Sequence, residues 1–169
     1  MVKVAKKTVA KKKVSKNEVA KKKMTDRSTD VSAYEEFEVG MSASYAKTVT
    51  DADIVLFAGI SGDINPVHLN QEFAADTMFE GRIAHGLLTA SFISTVLGVM
   101  LPGPGGIYLR QELNFKAPVR AGDTVNAQVT ITELIPEKRR VILETVCTVE
   151  DKVVLNGMAH VYIPPEKTQ

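Results

Sequence analysis

A single cysteine, Cys147, excludes an internal disulfide and fits a reducing compartment. It sits in "ILETVCTVE", where a small buried hydrophobe is the plainer reading than a nucleophile. No apolar run approaches the roughly eighteen residues of a membrane-crossing helix, and the N-terminus lacks a secretory apolar segment. Histidine is scarce too, with only three in the chain. What remains is a chain of 169 residues, 44% hydrophobic and 24% charged, which is the balance of one globular domain with a sizeable core. A cytoplasmic protein is the expectation.

The formal net charge of +1 hides an asymmetry. Residues 1–24 hold ten lysines against Glu18, a charge of +9, and the remainder carries −8. Residues 1–36 are therefore read as a Lys-rich, disordered arm and linker, without aromatics in the repeated Val-Ala-Lys-Lys stretch. Two readings of the arm stand: a solvated tail, or electrostatic attachment to a polyanion such as nucleic acid, an anionic granule or a membrane surface. An organelle presequence would favour Arg over Lys.

Residues 37–165 read as the folded domain. "SASYAKTV" suggests a strand, and Thr50 with Asp53 a capping box opening the helix "DADIVLFAGIS", with Ile54, Phe57 and Ala58 on one face. Residues 61–84 look irregular apart from a helical turn at "QEFAAD". From Gly86, "GLLTASFISTVLGVML" is apolar nearly all round and is stopped by "PGPGG", which predicts a buried central helix of about fifteen residues. Four strand-like segments follow: "IYLRQELNFKAPV", "DTVNAQVTITELIP", "RRVILETVCTVED" and "KVVLNGMAHVYIP". Alternation is clear in Val125, Ala127, Val129, Ile131 and in Ile142, Glu144, Val146, Thr148. The class is α+β, an antiparallel meander wrapped around one long helix.

The stretch "SGDINPVHLN" places an acid, an amide, a proline and a histidine in irregular backbone before that helix. Pro66 fixes its own φ and biases Asn65 towards extended backbone, so Asp63 and His68 sit on a stiff turn. A carboxylate and an imidazole close together bind one water between them, the histidine suited to take its proton and the carboxyl to deliver one elsewhere. Gly86 then falls at the helix N-terminus, whose first N–H groups have no intrahelical partner, and the missing side chain lets a carbonyl approach them. Such an end stabilises an enolate-type oxyanion. Each spacing alone also fits an ordinary polar turn, and His85 beside a glycine also fits a cap or a packing residue.

Together, "SGDINPVHLN", "GRIAHGLL", "PGPGGIYLRQELNFKAPVRAGD" and "GMAHVYIP" resemble the MaoC-like (R)-specific enoyl-CoA hydratases over about residues 38–164. The family motif Asp-x-Asn-Pro-x-His followed by His-Gly is met at Asp63, Asn65, Pro66, His68, His85 and Gly86. The resemblance implies a hot-dog fold, a homodimer with its sheets side by side, and hydration of trans-2-enoyl-CoA to (R)-3-hydroxyacyl-CoA without metal, flavin or nicotinamide. On it, His68 is the base, Asp63 the acid and Gly86 the backbone oxyanion donor, with Asn65, Pro66 and His85 in support. It also places Ser94 and Leu97 along the acyl pocket, with core packing the competing reading. Lys116 and Arg120 either meet CoA phosphates or end a solvated strand, and His160 matches no catalytic position. An acyl-carrier-protein dehydratase acts through the same site. A hot-dog thioesterase lacks the Asp-x-Asn-Pro-x-His turn, and an acyl-binding module has no need of both acid and base.

Overall fold

The computed structural model describes residues 33–165, so the Lys-rich stretch read as a disordered arm lies outside the described residues. Order begins before the expected boundary at 37. Tyr34–Glu36 form a 3-10 turn whose Tyr34 ring is buried in the core against Phe37, its hydroxyl donating to the Arg140 carbonyl at 3.1 Å.

Strand β1 (Ser42–Thr48) leads into helix α1 (Asp51–Ser61). The capping box is present: the Thr50 hydroxyl accepts from the Asp53 N–H, and the Asp53 carboxylate accepts from the Thr50 N–H. Ile54 and Ala58 bury the inner face of α1, and Gly62 closes it in the left-handed region at φ 76°. The helical turn expected at "QEFAAD" is found as α3 (Gln71–Ala75), and the stretch before it, read as irregular, holds a further short helix, α2 (Pro66–Leu69). Their caps, Asn65 and Asn70, accept main-chain N–H groups from Val67 and Phe73, so Asn65, read as part of a turn, starts a helix.

Helix α4 (Gly86–Val99) packs against β1, β2 (Ile107–Phe115), β3 (Thr124–Ile135) and β4 (Arg140–Val149). It is not enclosed on every side, as its composition suggested. Leu88, Thr89, Phe92, Ile93, Val96 and Leu97 face the sheet, while Leu87, Ser91, Ser94 and Gly98 form an exposed stripe. The sheet, completed by β5 (Lys152–Tyr162), is antiparallel in the order β1-β3-β4-β5-β2. Only β3, β4 and β5 form a meander. The link after β2 crosses the end of the sheet, Ala84 N–H donating to Val119 and Val49 N–H to Asp123, and leaves β2 at the far edge beside β5.

On β3 the expected row Val125, Ala127, Val129, Ile131 is fully inward. On β4 the inward row is Val141, Leu143, Thr145 and Cys147. The series Ile142, Glu144, Val146, Thr148 forms the opposite face, because strand period alone does not say which alternate row meets the helix.

Candidate active site

The site is assembled from the turn after α1, helix α2 and the start of α4. The turn is built from its own side chains. The Ser61 hydroxyl accepts from the Asp63 N–H at 3.2 Å, Asp63 Oδ1 accepts from the Asn65 N–H at 3.2 Å, and Asn65 Oδ1 accepts from Val67 N–H. Asn65 is therefore the cap of α2, and Pro66 its first residue, a position where the missing N–H costs nothing. These bonds commit Asp63 Oδ1 and leave Oδ2 facing His68.

His68 is 8% exposed. Its Nδ1 lies 2.9 Å from the Ile83 carbonyl, which accepts only, so Nδ1 carries the proton and Nε2 holds a free lone pair. That Nε2 stands 4.0 Å from Asp63 Oδ2, while the Asp63 side chain is 52% exposed. The gap is too wide for a direct hydrogen bond. It suits a water about 2.8 Å from both atoms, which would see them at about a right angle.

His85 precedes Gly86 and is 2% exposed. Its Nε2 donates to the Asp63 carbonyl at 2.9 Å, and its ring stacks on His68 with centroids 3.8 Å apart and planes 31° apart. Asp63, His68 and His85 each offer a ligand atom within 4.8 Å of the others. A metal bonds in the plane of an imidazole at about 2.0–2.1 Å, whereas these two rings stack with centroids 3.8 Å apart, which turns their in-plane lone pairs away from a common point. The stacked pair does not fit a metal.

No side chain caps α4 at His85, and the helix opens on Gly86. The space its side chain would fill is occupied: a Cβ there would lie 2.6 Å from a carbon of the Phe115 ring. A side chain here would therefore press on an aromatic from the end of β2, a neighbour the sequence did not suggest. Phe115 went unnoticed in the sequence because it is one of several alternating strand residues, and only the edge position of β2 lays it over the helix start.

The remaining expected residues divide. Leu97 belongs to the closed core, Ser94 lies on the exposed stripe of α4, and Lys116 is exposed. The Arg120 guanidinium donates to the carbonyls of Phe79 and Arg82, so it ties down the 79–82 turn. A cleft of about 510 Å³ beside it is lined by Asp51, Glu80, Arg82 and Arg120, and Arg82 is paired there with Asp51. His160 lies in β5 between Arg110 and Ile142. Burial pushes the Cys147 thiol up to about 12, which removes it as a nucleophile.

The family described as "MaoC like domain" matches residues 34–155. The chain belongs to the MaoC-like family. The (R)-specific enoyl-CoA hydratase of Rhodospirillum rubrum is 57% identical over 131 residues, covering 78% of this chain and 91% of the relative. The 3-hydroxybutyryl-CoA dehydratase of Methylorubrum extorquens is 52% identical over 134 residues, covering 79% and 85%. The solved (R)-hydratase of A. caviae involved in PHA biosynthesis superposes with a TM-score of 0.75 at 43% identity, covering 77% of this chain and 99% of that one. The sheet and helix of this MaoC-like protein are accordingly the hot-dog fold.

Proposed function

We propose that Asp63 and His68 add water across the double bond of a trans-2-enoyl-CoA, giving the (R)-3-hydroxyacyl-CoA, and remove it in reverse. The chain is an (R)-specific enoyl-CoA hydratase, a hydro-lyase. The observation that carries the assignment of roles is the 4.0 Å gap between Asp63 Oδ2 and a His68 Nε2 left unprotonated by its Nδ1–H bond to Ile83. His68 takes a proton from the bridging water as its oxygen bonds to Cβ of the substrate. The electrons move to the thioester oxygen, where the Gly86 N–H at the uncapped helix start donates to the developing enolate. Asp63 delivers a proton to Cα as the enolate collapses. A proton passed from His68 to Asp63 through the next water resets the pair.

Hydration of a four-carbon enoyl-CoA, followed as loss of the conjugated enoyl absorbance, tests this beside an assay for free CoA thiol. Asp63→Asn and His68→Ala should each lose about 10²–10⁴-fold in turnover. Thiol release without hydration would mean a thioesterase, and wild-type rates in either variant would overturn the roles.

The physiological use is finer. Provision of (R)-3-hydroxyacyl-CoA for polyhydroxyalkanoate synthesis is supported by the A. caviae structure, whose hydratase is described as involved in PHA biosynthesis. Activity on acyl-carrier-protein thioesters is the other route, and parallel turnover on the two carriers separates them. The Lys-rich arm would hold the enzyme on an anionic granule through salt-sensitive attraction, tested by co-sedimentation with and without residues 1–24. A homodimer is supported by the outer edge of β2, unpaired among the described residues and carrying half-exposed Ile107, Leu109 and Phe115. Light scattering reads its mass. Among the described residues no helix is long and apolar enough to cross a membrane, and a cytoplasmic location remains part of the proposal.

A further inference from the structure

His85 is tied to each part of the site. Its imidazole lies between the rings of Phe57, at 5.0 Å, and His68, at 3.8 Å. The Asp63 carbonyl accepts only, so Nε2 of His85 carries the proton and Nδ1 is left with a lone pair. That Nδ1 is buried, and among the described residues it is the one buried side-chain nitrogen or oxygen without a hydrogen-bond partner. A buried acceptor without a partner is costly, and a phenyl ring in its place would bring none. What a phenyl ring cannot supply is the Nε2–H that holds the Asp63 main chain.

We infer that His85 is a positioning residue, which sets the separation of acid and base by binding the Asp63 backbone through Nε2–H and the His68 ring through stacking. The inference rests on the hydratase reading above. Asp63 is carried by an exposed turn whose other bonds are local, from Ser61 to Asn65. The bond from His85, 22 residues away, fixes that turn to the start of α4. His68 is held at Nδ1 by Ile83 and on its face by His85, so Nε2 cannot swing away from Asp63 Oδ2. As the residue before Gly86, His85 also sets where the first helical N–H stands.

Two substitutions separate positioning from filling. His85→Gln keeps an N–H near the place of Nε2–H and loses the ring. His85→Phe keeps a stacked ring and loses the donor. If positioning is the role, His85→Phe lowers kcat at least about thirtyfold with KM within about threefold, since small misplacements of reacting groups cost up to about a hundredfold. His85→Gln then stays at least about fivefold more active than His85→Phe. A His85→Phe enzyme with near wild-type kcat, or a His85→Gln enzyme that loses more activity than His85→Phe in step with its melting temperature, would overturn the inference. Nitrogen-15 NMR of the wild-type imidazoles gives a second readout that needs no variant to fold. The expected signal for His85 is the Nε2–H tautomer at neutral pH, and an Nδ1–H or doubly protonated ring there would also refute it. Wild-type protein that hydrates no enoyl-CoA would instead refute the reaction, and is distinct from a wild type that turns over while His85→Phe does so equally.

Discussion

Gly86→Ala is the most informative single change at this site. An added Cβ would lie 2.6, 2.9 and 3.1 Å from three carbons of the Phe115 ring. To reach ordinary contact the ring or the helix start must retreat by about 0.8 Å. The backbone itself raises no objection, since Gly86 is not among the residues with positive φ. Phe115 is 55% exposed, so the ring can yield outward. Less than half of its roughly 200 Å² is buried, which at about 25 cal/mol per Å² bounds the lost packing near 2 kcal/mol. Replacing glycine in a helix returns up to about 1 kcal/mol. The net change in stability should therefore be modest, between about 1 and 2 kcal/mol, a fall in Tm of no more than about 8 °C. Activity should suffer more, because the displaced ring or the shifted helix end spoils the approach to the Gly86 N–H. Loss of one oxyanion donor costs about 10²–10³-fold in kcat, and a loss of about a hundredfold is expected. Phe115→Ala placed in the Gly86→Ala background removes the clash and should recover at least about tenfold, a coupling read by the double-mutant cycle. Hydration rates and thermal melts of the four proteins decide it. Wild-type turnover in Gly86→Ala, or no recovery in the double variant, would refute the reasoning.

Two further outcomes follow from groups outside the site. The hydrogen bond from the Thr50 hydroxyl, then those from Lys47 and the Thr50 N–H, lower the Asp53 carboxyl from 3.8 to about 2. Its stabilising contribution is thus complete above about pH 4 and lost as pH falls through about 2. Thr50→Ala should cost about 1 kcal/mol at neutral pH, seen as a lower Tm, and should move acid unfolding to higher pH. Cys147, with its thiol pushed up to about 12 by burial, should resist iodoacetamide at pH 8 in the folded protein and react once denaturant exposes it. Rapid alkylation of the folded protein would contradict its placement against α4.

Much of this molecule was legible because its signals are short-range. The capping box needs only Thr50 and Asp53, three positions apart, and it formed as expected. The α4 start at Gly86 and the inward row of β3 follow from local period, and each is found. The helical turn at "QEFAAD" was expected and is found, but the Asn65 cap was missed as a helix signal because Asn also favours turns, and chain context alone does not choose between them. On β4 the alternation was visible, but the choice of inward row depended on where the helix lay.

The sequence by itself determined an α+β domain with one long helix, and the residue types of an acid–base turn followed by a helix start. Those are properties of spacing along the chain, and they survive any arrangement of the elements. The tertiary structure decided that β2 lies beyond β5, that Tyr34 enters the core, and that Arg120 is spent on carbonyls rather than left free. It also decided that Phe115 takes the space of the Gly86 side chain and that the two histidines stack. These contacts join residues 15 to 41 positions apart, or more. No local propensity specifies them, because they arise only when the sheet closes on α4 and forces those side chains to share one volume.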